Sequence, residues 1–177
     1  MKRLHLLRHA KSSWDDPNLA DHDRPLAKRG ERDAPRAARR LREHCAAPQL
    51  IVSSPAKRAL CTARIVAGEL GLSDDTVAVE RALYLATPEA ILAVAARTDD
   101  TVSSLLLVGH NPGLTELADR LLPELGLDNL PTAGLLVLDL DAERWTALER
   151  TRTTLIYYDY PKNPGAPLPG QWPVTGR

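Results

Sequence analysis

The chain has 177 residues, 44% hydrophobic and 26% charged, enough for one domain with its own core. Lys plus Arg and Asp plus Glu each number 23, so no whole-molecule field points to nucleic acid or to an anionic membrane. Residues 1–20 lack the apolar core of a signal peptide, no apolar run approaches a membrane span, and the two cysteines, Cys45 and Cys61, make neither a disulfide framework nor a metal set, so a cytoplasmic enzyme or binding protein is the expectation.

Residues 3–8 read as an apolar strand ending in the pair Arg8-His9. Residues 10–27 are polar and rich in Asp and Pro, as in a loop. Ala and Leu recur at helical spacing through 28–45, with Pro35 in the first turns or interrupting them. Gln49 to Ser53 reads as a second strand, and Pro55 to Leu70 as a helix that stops at Gly71. A short strand is expected at Thr76 to Glu80, then a helix at Pro88 to Arg97 opened by Thr87-Pro88. Ser103 to Val108 is an apolar strand and Pro112 to Leu122 a helix. Residues 134–140 and 144–150 read as two strands joined by a turn at Asp141-Ala142-Glu143, and Tyr157, Tyr158 and Tyr160 fit a packed final strand. The alternation predicts an α/β fold, an α/β/α sandwich whose mostly parallel sheet is mixed at one edge. One domain is expected over residues 1–160, with the Pro- and Gly-rich stretch 161–177 as an extended or disordered tail.

Three strand ends carry the chemistry. The first ends in Arg8-His9, the second in Ser53-Ser54-Pro55-Ala56-Lys57-Arg58, and the fourth in Gly109-His110-Asn111-Pro112-Gly113. Open α/β sheets bind ligands at the carboxyl ends of their strands. In the last two a capping residue, Ser54 or Asn111, precedes a Pro at the first helical position, and the resulting helix N-terminus favours an anion. If these strands are parallel neighbours, Arg8, His9, Arg58 and His110 converge. Two guanidiniums and two imidazoles suit a phosphoryl group, because the planar Arg fork matches phosphate oxygens. Nearby cations depress a histidine pKa and keep the ring neutral and nucleophilic. Such a ring accepts a phosphoryl group in line and releases it to water. The arginines already stabilise the equatorial charge, so neither a metal nor another cofactor is expected.

Leu7-Arg8-His9-Ala10-Lys11-Ser12, Asp23-Arg24-Pro25-Leu26 with Gly30, Ser54-Pro55 with Arg58, and Val108-Gly109-His110-Asn111-Pro112 together resemble the histidine phosphatase superfamily, and more narrowly its SixA-type branch of phosphohistidine phosphatases. The resemblance covers roughly residues 1–150 and implies a phosphoglycerate-mutase-like fold. It implies His9 as nucleophile, Arg8 and Arg58 as phosphoryl ligands, and His110 as the residue that assists transfer and holds charge. It also implies a phosphorylated protein of the phosphorelay type as substrate. Phosphatases of small phosphate esters or nucleotides, and a regulatory protein that keeps only the phosphate pocket, are the alternatives.

Three positions depart from the superfamily pattern: Ala10 stands for the usual Gly, Ala27 for a helix-capping Thr, and Ala82 for the general-acid Glu of the larger members. Glu80 and Glu89 are the neighbouring candidates for that acid, with Asp15, Asp16, Asp21 and Asp23 behind them. An alkoxide leaving group needs a proton in the transition state, whereas imidazole leaves readily once its ring is protonated. A missing acid therefore favours phosphohistidine over phosphate esters. Arg29, Arg32, Arg36, Arg39 and Arg40 recur at helical spacing with Glu31 and Asp33 among them and Glu43 just beyond, which reads as a solvated face rather than a nucleic-acid surface, or as a contact for an acidic protein substrate.

Overall fold

The computed structural model describes residues 1–163; the expected tail from residue 164 onward lies outside the described residues. β1 (Lys2–Arg8), β2 (Leu50–Ser53), β3 (Val77–Val79) and β4 (Ser104–Gly109) alternate with α1 (Lys28–His44), α2 (Lys57–Glu69) and α3 (Pro88–Ala96). α4 (Gly113–Leu121) then leads to β5 (Leu135–Leu140) and β6 (Thr153–Asp159). The six strands form one sheet in the order β3-β2-β4-β1-β5-β6. β3, β2, β4 and β1 are parallel, and β5 and β6 add an antiparallel edge.

The burial pattern explains the layering. Leu105, Leu106, Leu107 and Val108 of β4 are all fully buried, as a strand covered on both faces requires. Alternate side chains serve opposite faces. Leu4, Leu6, Leu105, Leu107 and Leu136 pack with Leu114 and Leu117 of α4 and with α3, through Ile91 and Val94. Leu7, Leu106, Ile51 and Val137 pack with Leu41 of α1 and Val66 of α2. The result is the α/β/α sandwich expected from the alternation. α1 runs through Pro35 unbroken and starts from Ala27 with no side-chain cap.

Two glycines fix how the loops seat. A Cβ on Gly30 would fall 2.2 Å from the Lys11 carbonyl oxygen, which also accepts the Ala27 N–H at 2.8 Å. That close approach fastens the 10–27 loop to the start of α1. A Cβ on Gly113 would fall 1.9 Å from the Ala86 carbonyl oxygen, so α4 can begin beside the 84–87 turn only without a side chain there.

Two expectations need correction. The stretch 144–150 is not a strand but a 3-10 turn over Trp145–Arg150, and the return strand comes later, at Thr153–Asp159. Trp145 and Leu148 are three residues apart and both buried, which a helical turn allows. A strand would have put Trp145 and Glu149 on one face and buried the carboxylate. The Trp145 ring N–H donates to the Val102 carbonyl at 2.8 Å and its backbone N–H to Asp100 at 3.0 Å, which anchors the turn across the sheet end. The helix starts also shift. α2 begins at Lys57 after Ala56, and α4 at Gly113 after Pro112, so neither Pro55 nor Pro112 is a first helical residue. Ser54 and Asn111 are diverted to tertiary partners described below. Tyr157 and Tyr158 lie in β6 as expected, with Tyr160 just past its end. Among the described residues no helix is long and apolar enough to cross a membrane.

Candidate active site

The parallel register brings the chemistry together. Arg8 of β1 pairs with Gly109 of β4, and Ser53 of β2 with Val108, so three carboxyl ends lie side by side. His9 and His110 follow directly, with ring centroids 5.1 Å apart. Arg58 lies in the first turn of α2, directly after β2, and is buried against both rings. Its Nε–H donates to His9 Nε2 at 3.3 Å, and its Nη2 donates to His110 Nδ1 at 3.4 Å. Arg8 donates through Nη1 to the Leu130 carbonyl at 2.9 Å, while its buried Nε has no hydrogen-bond partner among the described residues. The four residues expected to converge therefore do so.

The hydrogen bonds assign the tautomers. His9 Nδ1 lies 2.8 Å from the Ala10 carbonyl oxygen, an acceptor only, so Nδ1 carries the proton and Nε2 the lone pair. His110 Nε2 lies 2.7 Å from Ser54 Oγ. With Arg58 donating to Nδ1, the His110 proton sits on Nε2 and is given to Ser54. Ser54 Oγ also accepts the Ala56 N–H at 3.3 Å. Burial pushes His9 from 6.5 down to about 4, with Arg58, Arg8 and Arg24 adding to the effect against the opposing Ala10 bond. Burial likewise takes His110 to about 3, with His9 and Arg58 contributing. Both rings are neutral at pH 7. Loss of water, rather than the neighbouring cations, is the larger cause of both shifts.

These groups line a cavity of about 280 Å³. Its charged lining is Arg8, Lys11, Arg24 and Arg58, together with His9 and His110, and no carboxylate lines it among the described residues. Arg24 and Lys11 went unassigned at the level of sequence. Arg24 is buried, donates through Nη2 to Ser12 Oγ at 2.6 Å, and lies under the Trp14 ring, its guanidinium carbon 3.2 Å from the ring centroid. Trp14 and Leu85, exposed by 70% and 56%, stand at the mouth, and Leu85 holds a left-handed φ of 48°.

A family model for the histidine phosphatase superfamily (branch 1) matches residues 4–83. A candidate phosphohistidine phosphatase SixA from Agrobacterium tumefaciens is 32% identical and superposes with a TM-score of 0.76, covering 90% of this chain and 98% of that one. The chain belongs to the histidine phosphatase superfamily. Its branch is the SixA-type one. A second candidate phosphohistidine phosphatase SixA, from Nakamurella multipartitia, is 27% identical with a TM-score of 0.78 over 92% of this chain and 97% of that one. An uncharacterised protein of Mycobacterium tuberculosis is 34% identical over 165 residues, 88% of this chain and 100% of the relative.

In this histidine phosphatase the acid candidates are placed apart from the cavity. Glu80 caps the turn at Ala82, accepting its N–H at 3.0 Å, and pairs with Arg97 at 2.6 Å. Glu89 is exposed and pairs with Arg120. Neither lines the cavity, nor do Asp15, Asp16 or Asp23. Asp21 comes nearer than the sequence suggested. Its carboxylate accepts from Arg58 Nη2 at 2.9 Å, Arg24 Nη1 at 3.0 Å and the Tyr84 hydroxyl at 2.8 Å, and its carbonyl accepts from Arg58 Nη1 at 2.5 Å. Desolvation opposes its ionisation, but the bonds from Tyr84 and Arg58 prevail and hold the carboxyl at about 2. A group so acidic is an anchor for arginines and has no proton to give at pH 7. The only signal for it in the sequence was its place two residues before Asp23-Arg24-Pro25-Leu26. Ala10, in the usual Gly position, is fully buried and donates its N–H to Thr62 Oγ1 at 3.0 Å.

Proposed function

We propose that this phosphatase works without a metal through a phosphohistidine intermediate on His9, and that its substrate is histidine-borne phosphate on a protein. The observation that carries the reading is the cavity lining: four cations and two neutral imidazoles, with no carboxylate among the described residues. His9 Nε2 attacks phosphorus in line, and its new bond forms as the substrate P–N bond breaks. The Arg58 Nε–H that covers the lone pair turns to a phosphoryl oxygen. Arg8, with its unmatched Nε, supplies a second guanidinium, and together they stabilise the equatorial oxygens. The substrate ring takes a proton from solvent on its second nitrogen before the P–N bond breaks, so the imidazole departs neutral with that proton and no side-chain acid is needed. Water then attacks phosphorus, the Nε2–P bond breaks, and phosphate leaves with His9 restored. His110 follows the charge by its choice of tautomer. When Nδ1–H is needed by the phosphoryl group, Nδ1 takes a proton from water and Nε2 passes its own to the Ser54 hydroxyl, which releases its proton in exchange and then donates back to Nε2.

An alkoxide leaving group would need an acid, and none lines this cavity among the described residues. A phosphohistidine peptide is therefore expected to be hydrolysed with a kcat/KM about a hundredfold or more above that of a sugar phosphate. Faster turnover of the sugar phosphate would sink the assignment.

Asp21 acts here as a positioning residue for Arg58. Asp21→Ala is expected to lower kcat/KM for every phosphoryl substrate by about tenfold to a hundredfold, since a misplaced guanidinium loses its aim at the transition state. Stability should fall by about 1–3 kcal/mol, because the half-exposed carboxylate is the partner of two buried guanidiniums, Arg24 and Arg58. Circular dichroism and denaturant titration separate the two effects. Equal turnover in Asp21→Ala would remove Asp21 from the machinery.

A further inference from the structure

Beside the phosphoryl cavity lies a second depression of about 190 Å³, bounded by α1 on one side and by residues 160–162 on the other. Thr132 lines both cavities, so they form one continuous surface. Its cations are Arg29, Arg32 and Arg36 from α1 and Lys162 from the opposite wall. These four are exposed. Arg29 and Arg32 share the buried Asp33, at 3.8 and 3.4 Å, whereas Arg36 and Lys162 form no ion pair with the described residues. Between the cations the walls are Pro131, Tyr160 and Pro161. A chain of zero net charge thus concentrates positive charge along one edge of its phosphoryl site.

We propose that this groove is a docking surface for an acidic segment of the phosphoprotein substrate, which lies along α1 while its phosphohistidine enters the cavity. The proposal rests on the functional reading above. Charge complementarity selects an anionic partner. The arrangement selects a protein over a compact polyanion. The cations from Arg29 to Arg36 spread over about 10 Å of helix, Asp33 neutralises part of the field, and apolar rings separate the charges. Acidic side chains interleaved with apolar ones fit that pattern, and a dense phosphate chain does not. The sequence of residues 164–177 contains no Asp or Glu, so that stretch offers no acidic side chain to match the groove.

The test uses the full chain and two phosphohistidine peptides identical except for Glu or Gln in their flanks, with free phosphoramidate as a small control. Wild type should turn over the Glu peptide with a kcat/KM about tenfold or more above the Gln peptide, and added salt should erase the difference. The double variant Arg36→Glu/Lys162→Glu should lose the preference and leave phosphoramidate hydrolysis within twofold. These two residues carry none of the site's hydrogen bonds, so a fall on phosphoramidate as well would mean a structural effect and overturn the proposal. Equal wild-type rates on the two peptides would overturn it too. So would a loss confined to a nucleoside triphosphate added as competitor, which would make the groove a polyphosphate subsite. Failure of the functional reading looks different: wild type would hydrolyse neither peptide while cleaving a sugar phosphate.

Discussion

His9→Ala is expected to lower phosphohistidine hydrolysis by about four orders of magnitude or more, because the proposed nucleophile, and with it the proposed covalent path, is then gone. The remaining cations would still bind the phosphoryl group, so KM should move far less than kcat. The wild-type ring is suited to its role on three independent counts. Its Nδ1–H is fixed on the Ala10 carbonyl at 2.8 Å, which directs the Nε2 lone pair at Arg58 and the cavity. Burial holds its pKa at about 4, so the ring is neutral throughout the physiological range. Arg58 lies within 3.3 Å of the attacking atom, ready to follow the phosphoryl oxygens. Rapid quench in base, which spares P–N bonds, should trap label on His9 of the wild type and none on His9→Ala. Label on His110 instead, or an active His9→Ala enzyme, would refute the assigned nucleophile. The kcat/KM profile should also lack the break near 6.5 expected of an ordinary histidine.

The second large effect is on stability in acid. Three buried rings are held neutral in the folded protein: His5 at about 3, His9 at about 4 and His110 at about 3, with burial the leading cause each time. In the unfolded chain they titrate near 6.5. A lowered histidine pKa means that the unfolded state binds more protons between the two values. Stability is therefore fully present above about 6.5 and is lost as pH falls towards about 4. With all three rings engaged the slope reaches about 4 kcal/mol per pH unit, against a total stability of about 5–15 kcal/mol for a domain. The protein should unfold between about pH 4 and 5.5. Asp21 adds a loss of the same sign but at lower pH, between 3.8 and about 2, where its carboxylate is protonated. Urea titrations at successive pH values read the slope. His5 lies in the middle of β1 and does not line the His9 cavity, with Nε2 on Ser104 Oγ at 3.0 Å and Nδ1 without a partner among the described residues. His5→Leu should reduce the slope by about a third and leave turnover at pH 7 intact. An unchanged slope would show that this ring is not held neutral by the fold.

The chain's apolar runs and helical spacings were enough to place the four parallel strands, the four helices and the sandwich they build. Leu105 to Val108 reads as an apolar strand and is one, fully buried at the centre of the sheet, and Pro88 to Ala96 has its cap in Thr87, whose Oγ1 accepts the Ala90 N–H at 3.3 Å. The Trp145 turn was not legible, because a buried Trp and Leu three residues apart fit a turn only once the Val102 and Asp100 anchors are in place. Those anchors are distant in sequence.

The same division runs through the site. Arg8, His9, Arg58 and His110 were readable because Arg8 ends a strand, His9 and His110 directly follow one, and Arg58 sits in the first turn of the helix after one, and strand ends in an open parallel sheet converge. Asp21, Arg24, Lys11 and Trp14 were not, because all four lie on the 10–27 loop, and a polar loop has no periodicity that says which side chain turns inward. Ser54 and Asn111 looked like helix caps and became tertiary ligands instead. Ser54 turns to His110 at 2.7 Å, and Asn111 donates to the Leu130 carbonyl at 2.9 Å. Sequence alone determined the residue types of the site, since local patterns set strands and their ends. Tertiary structure decided everything that depends on contact across the chain. Among the described residues it left the cavity without a carboxylate, lowered the histidine pKa values mainly by excluding water, and set a basic groove beside the His9 cavity, because burial and distance are properties of packing and not of order along the chain.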